Sequence, residues 1–105
     1  MKINTRNKTI TSIDISNNET AWAIEDAVEV LAYLTHKKAI VLGGDILTPT
    51  LEYNYDSWYY NVEANKDFQF NVDSSIKLAI QYISNYIKKN GSAFYVVFIV
   101  ELGYA

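Results

Sequence analysis

Cysteine is absent from this sequence, and histidine and proline occur once each. Without cysteine there is no disulfide, no thiolate nucleophile and no cysteine-ligated zinc. The sole histidine, His36, stands before Lys37 and Lys38. That is the C-terminal end of an expected helix, where a surface cation is favoured, so a Ser–His–Asp relay through it is the weaker reading. Glycine is scarce too, with four residues. Two of them open Gly43-Gly44-Asp45, which has neither the GxGxxG nor the P-loop spacing that cradles a phosphate. No stretch approaches the roughly 18 apolar residues of a membrane helix. Lys2, Arg6 and Lys8 are not followed by the apolar run of roughly 7–15 residues that a secretory signal carries. The expectation is a cytoplasmic protein with no membrane partner.

Hydrophobic side chains, by contrast, make up half of the 105 residues. That supplies one core, and the length is that of a single domain spanning residues 1–105. The net charge is −3, unevenly spread. Residues 14–73 hold eleven carboxylates against three lysines, Lys37, Lys38 and Lys66. An acidic middle repels phosphate backbones and argues against nucleic acid. It suits a basic protein partner, whose approach it would steer. An acidic surface that only keeps the chain soluble is the competing reading.

Residues 1–15 are polar with scattered isoleucines and read as an edge strand or a loose arm. Ser16-Asn17-Asn18-Glu19 has the spacing of a capping box. Ala23, Ile24, Ala27, Val30, Leu31 and Leu34 then recur at helical spacing, predicting a first helix over Glu19–Thr35. A strand follows at Ala39–Leu42, interrupted by Gly43-Gly44-Asp45 and resuming at Ile46-Leu47. A second strand, Leu51–Val62, changes apolar parity midway, which requires a bulge or tight turn, placed at Asp56-Ser57. The stripe Ile76, Ala79, Ile80, Ile83 and Ile87 predicts a second helix over Ser74–Lys89, capped by Asp73 and stopped at Asn90-Gly91. Ala93–Leu102 is apolar without alternation and predicts a central strand covered on both faces. The expected fold is α+β, in the order α-β-β-α-β: two helices packed on a mixed or antiparallel sheet of three or more strands.

Two features are candidates for function. Asp45 lies beside two glycines that leave the backbone open, either as the lip of a ligand pocket or as a glycine bulge whose carboxylate bonds nearby amides. Asp45, Glu52, Asp56 and Glu63 are oxygen donors, but no cation-loop spacing joins them, so no metal is expected. Tyr53, Tyr55, Trp58, Tyr59 and Tyr60 fall within eight positions. Such a cluster is either a cross-strand aromatic ladder or a set of interface anchors. Ringed by Glu52 and Asp56, these anchors would match a basic, partly apolar partner.

Three blocks together resemble a known family. Ile40-Val41-Leu42-Gly43-Gly44-Asp45, then Tyr55-Asp56-Ser57-Trp58-Tyr59, then Ser75 with Ala79, Tyr82, Ile83 and Tyr86 are similar to the pattern of immunity protein 40, over roughly Ile15 to Val100. The family has asparagine more often where this chain has Ser57, so no amide role carries over to that position. The resemblance implies a bacterial antidote from a polymorphic toxin system. Such a protein binds a cognate toxin domain and neutralises it by stoichiometric occlusion, with no cofactor. The expected partner contacts are Asp45, Glu52, Asp56, Trp58, Tyr59 and Glu63. The alternative is a small-ligand or regulatory binding domain without catalysis, with Gly43-Gly44 as its pocket lip. A carboxylate hydrolase built on Asp45 and Asp56 is the least favoured, and the chain is not expected to be an enzyme.

Overall fold

The computed structural model describes residues 1–15 and 19–102. Strands β1 (Lys2–Asn4) and β2 (Thr9–Thr11) form a hairpin of their own. Its one cross-strand apolar pair, Ile3 opposite Ile10, is buried. Next come β3 (Ile13–Ile15), β4 (Glu19–Ala23), a single 3-10 turn (Ile24–Asp26) and helix α1 (Ala27–His36). The chain continues through β5 (Ala39–Leu47), β6 (Tyr53–Tyr59), helix α2 (Phe68–Asn90) and β7 (Tyr95–Leu102). The larger sheet has the order β3-β4-β7-β5-β6, with every neighbouring pair antiparallel.

This overturns the expected α-β-β-α-β fold. The described residues form seven strands in two antiparallel sheets, and four of those strands precede the first helix. Glu19–Ala23 was expected to open a helix but is strand β4, because Ala21, Trp22 and Ala23 pair with Val97, Val96 and Tyr95 of β7. Non-local pairing outweighs a helical apolar spacing when both alternating faces gain cover. Here Trp22 is buried on one face and Ala21 on the other. The expected cap at Ser16 lies outside the described residues.

Strand β5 runs unbroken through Gly43-Gly44-Asp45, with a register shift between Val41 and Gly43. Strand β6 is shorter than expected, and its irregularity centres on Tyr55 at φ 66°, just before Asp56-Ser57. Helix α2 starts six residues ahead of the expected Ser74. Its cap is Asp67, which accepts the Phe70 N–H at 2.7 Å, rather than Asp73. It stops at Gly91, whose φ of 89° is readily adopted only by glycine.

Both helices contribute to one side of the sheet. Val30 and Leu31 of α1 and Val72, Ile76, Ala79 and Ile83 of α2 share a core with Ile40, Ile46, Trp58 and Val96. The opposite face carries a smaller cluster, Ala21, Leu47 and Val97, flanked by Ile13, Ile15, Leu51 and Tyr95, with no helical residue among those described. The expectation that β7 is covered on both faces is therefore corrected. It is the middle strand, but Ile99, Val100 and Leu102 are exposed.

Candidate functional site

Strand parity decides what the helix-free face displays. On β5, Asp45 lies between Ser57 of β6 and Val97 of β7. Tyr59 is two residues from Ser57, hence on the same face, opposite Gly43. Ile99 and Glu101 continue that face along β7 from Val97. Tyr53 of β6 donates its hydroxyl to a carboxylate oxygen of Glu19 on β4, linking strands that have β5 and β7 between them. This bond to Glu19, with burial and the nearby charges behind it, pushes the Tyr53 phenol up to about 12. Asp45 is half-buried, and its carboxyl is raised above the usual carboxylate value, first by burial and second by the charge of Glu19. The face therefore couples two carboxylates to exposed aromatic and aliphatic side chains, with Tyr59 the most exposed of them at 74%.

The six expected contacts do not form one surface. Asp45 and Tyr59 share the helix-free face. Trp58, between Ser57 and Tyr59, points the other way and is only 6% exposed. Its indole stacks on Tyr82 of α2 at 4.8 Å and meets Phe98 edge-on at 6.0 Å. Asp56 is exposed but faces α2, accepting the Tyr86 hydroxyl at 2.8 Å. Glu52 lies in the β5–β6 connection, where its carboxylate accepts the Thr50 hydroxyl at 2.7 Å. Glu63 lies beyond β6 in the connection to α2, with its backbone N–H donated to the Asn71 side-chain oxygen at 2.8 Å. Asp45 and Asp56 thus open onto different sides of the sheet and share no cleft. Gly43 and Gly44 are buried rather than lining a pocket, because Trp58 fills the space beside them. Among the described residues, no group of three or more acidic or histidine side chains is placed to hold a metal ion. No helix there is long and apolar enough to cross a membrane.

Glu19 and Ile99 escaped the sequence reading, and Tyr53, one of the clustered aromatics, was not among the six expected contacts. Glu19 was assigned to a helix and Ile99 to the core. The available signal was Glu101, a charge in phase with Val97 and Ile99, which marks that face of β7 as open to water.

The blocks that carry the family resemblance have structural work to do. The Ser75 hydroxyl accepts the Val41 N–H at 2.9 Å, beside the β5 register shift, and donates to the Val72 carbonyl at 2.9 Å. Ala79 is fully buried between α2 and the sheet. Tyr82 stacks on Trp58, and Tyr86 ties Asn54 and Asp56 to the helix. These positions build the α2–β5–β6 layer. No curated protein matches the chain. A family model described as Immunity protein 40 matches residues 9–100. The match runs from the start of β2 to Val100 within β7, and the chain belongs to the immunity protein 40 family.

Proposed function

We propose that this protein binds a toxin domain stoichiometrically and occludes it, acting in the cytoplasm and catalysing no reaction itself. The family supplies the class, since its name implies an immunity protein. The observation that carries the choice of surface is the helix-free face, where exposed Tyr53, Tyr59 and Ile99 stand beside Glu19 and Asp45. Aromatic anchors with a half-buried carboxylate suit a partner that brings a basic side chain into an apolar patch. Asp45 gains most from such a partner, because a cation would relieve the cost of its burial beside Glu19. Glu52, outside this face, would act at long range by steering.

The test is co-purification with the toxin domain encoded beside this gene. Wild type should form a 1:1 complex, and Tyr59→Ala and Asp45→Lys should weaken it, with each free variant shown by thermal melts to be folded. Failure of the wild-type protein to bind that domain would remove the reading. Undiminished binding by both variants would remove the surface.

A further inference from the structure

Strand β6 is the outer strand of the larger sheet, and it carries a wide bulge. Tyr53 pairs with Leu47, and Ser57 pairs with Asp45. Between those pairs β5 has only Ile46, whereas β6 has Asn54, Tyr55 and Asp56. Tyr55 stands at the apex with a φ of 66°, in the left-handed region. That region is unfavourable for a bulky residue with a β-carbon, and glycine or asparagine takes it more readily. A ring of hydrogen bonds holds the bulge against α2. The Asn54 side-chain N–H donates to the Tyr86 hydroxyl at 2.9 Å, and that hydroxyl donates to Asp56 Oδ2 at 2.8 Å. The Asp56 backbone N–H closes the ring, donating to Asn54 Oδ1 at 3.1 Å. Tyr86 is itself fixed edge-on by Phe94 at 5.3 Å. Asn54 and Asp56 thus turn toward the helix, while Tyr55 is 96% exposed. Its ring adds no packing that would offset the strained backbone.

We infer that the bulge presents Tyr55 as a preformed anchor for a basic side chain of the toxin domain, which stacks on the Tyr55 ring and pairs with Asp56. Strained backbone that its surroundings hold in place is a mark of sites whose use lies outside the fold. Charge specifies the occupant. No lysine or arginine occurs between Lys38 and Lys66, a stretch that holds Asp45, Glu52, Asp56 and Glu63. Asp56 is exposed, and its Oδ1 accepts no hydrogen bond from the described residues. None of the lysines or arginines among them pairs with it. A guanidinium fits best, because its plane lies on an aromatic face while its N–H groups donate to a carboxylate. The cleft of about 430 Å³ on the helix side of Asp56 already contains Lys89, so the cation belongs on the Tyr55 side. Tyr86 acts by positioning, through the bulge it holds. The inference rests on the toxin-binding reading and extends it beyond the sheet face. Tyr53, just before the bulge, lies on that face, so a partner covering it reaches Tyr55 over the sheet edge.

The experiment titrates the full chain with the toxin domain encoded beside this gene, by calorimetry, with thermal melts of each free variant. Tyr55→Asn removes the ring and suits the backbone. It should keep or raise the melting temperature while weakening binding at least about tenfold. Tyr55→Phe keeps the stacking face and should bind within about threefold of wild type. Tyr86→Phe frees the bulge but keeps the packing on Phe94. It should weaken binding about threefold or more when Tyr55 is present, and by much less in the Tyr55→Asn background. Should Tyr86→Phe unfold, Asn54→Ala breaks the same ring of bonds, with the same expected coupling. A lower melting temperature for Tyr55→Asn, wild-type affinity in that variant, an equal loss in Tyr55→Phe, or additive losses with Tyr86→Phe would each overturn the inference. Wild-type binding with Tyr55 indifferent leaves the toxin reading in place and removes only the anchor. Absence of any wild-type binding removes the toxin reading, and the anchor with it.

Discussion

The indole of Trp58 rests on the backbone of Gly44 so closely that a Cβ at position 44 would lie 2.4 Å from its ring and 2.6 Å from the Val97 carbonyl oxygen. The contact seats the tryptophan between β5 and Tyr82 of α2. Glycine is needed here for space. At Gly43 it is needed for conformation as well, because φ there is 155°.

Gly44→Val is therefore expected to destabilise the domain by at least the roughly 1–3 kcal/mol of an overpacked core. Trp58→Ala should cost about 3–5 kcal/mol as a large-to-small change. The pair should be non-additive, since removing the indole opens the space that a side chain at 44 needs. Urea melts of the two single variants and the double variant measure this. Strict additivity would show that the two residues do not compete for the same volume.

A second pair separates the two faces. Ile83 is fully buried under α2, while Ile99 is 44% exposed on the helix-free face. Ile83→Ala should cost about 2–5 kcal/mol and Ile99→Ala no more than about 0.5 kcal/mol. Equal losses in denaturant melts would mean that the helix-free face is covered in solution.

Much of the helical layer was legible in the sequence, because α2 repeats its apolar stripe over several turns and ends on Asn90-Gly91. The early strands were not. Strands of three residues, such as Lys2–Asn4 and Thr9–Thr11, hold one inward isoleucine each and show no period at all. Strand β4 was misread because Ala23, Ile24 and Ala27 do fall at helical spacing, and its pairing with β7 joins residues more than seventy positions apart. The adjacent rings of the aromatic cluster take opposite faces of β6, Trp58 buried and Tyr59 exposed. Which face each ring takes follows from Gly44, whose missing side chain receives Trp58 and so turns Tyr59 outward.

The tyrosine–carboxylate bond makes a prediction in alkali. The Tyr53 phenol ionises at about 12 when folded against an ordinary value of 10.0. Its raised value contributes stability fully present below pH 10, and that stability is lost as pH climbs from there through 12. Glu19→Gln should bring the Tyr53 titration back toward 10, because the hydrogen bond to Glu19 is the main cause of the shift. Titration of ring-labelled tyrosine by NMR reads the change. An unmoved midpoint would assign the shift to burial.

Asp45 behaves in the opposite practical sense at neutral pH. Its folded carboxyl is raised above 3.8, so the folded state favours the protonated form. Relative to a neutral side chain, nothing is lost below pH 3.8, and stability falls as pH rises through the folded value. Asp45→Asn should therefore stabilise the free protein at pH 7, with the gain vanishing below pH 3.8. Thermal melts at the two pH values test the sign. A variant less stable than wild type at pH 7 would mean that the carboxylate is supported by contacts that offset its burial.

That same substitution should weaken partner binding, and the opposition of the two effects is the sharpest expectation for the sheet face. A half-buried carboxylate beside Glu19 costs stability in the free protein and repays it only when a cation arrives. Asp45→Asn should thus raise the melting temperature of the free protein and speed dissociation of the complex. Tyr59→Ala should act through dissociation too, at about 2 kcal/mol or more for an aromatic anchor at the centre of an interface, with stability nearly unchanged. Glu52→Lys, in the connecting loop, should slow association and flatten its dependence on salt. Surface plasmon resonance at two ionic strengths, alongside melts of each free variant, separates these effects. If Asp45→Asn stabilises the free protein but leaves dissociation untouched, the carboxylate lies outside the interface. The acidic face of α1 and its leading turn, with Glu25, Asp26 and Glu29, then becomes the next surface to test.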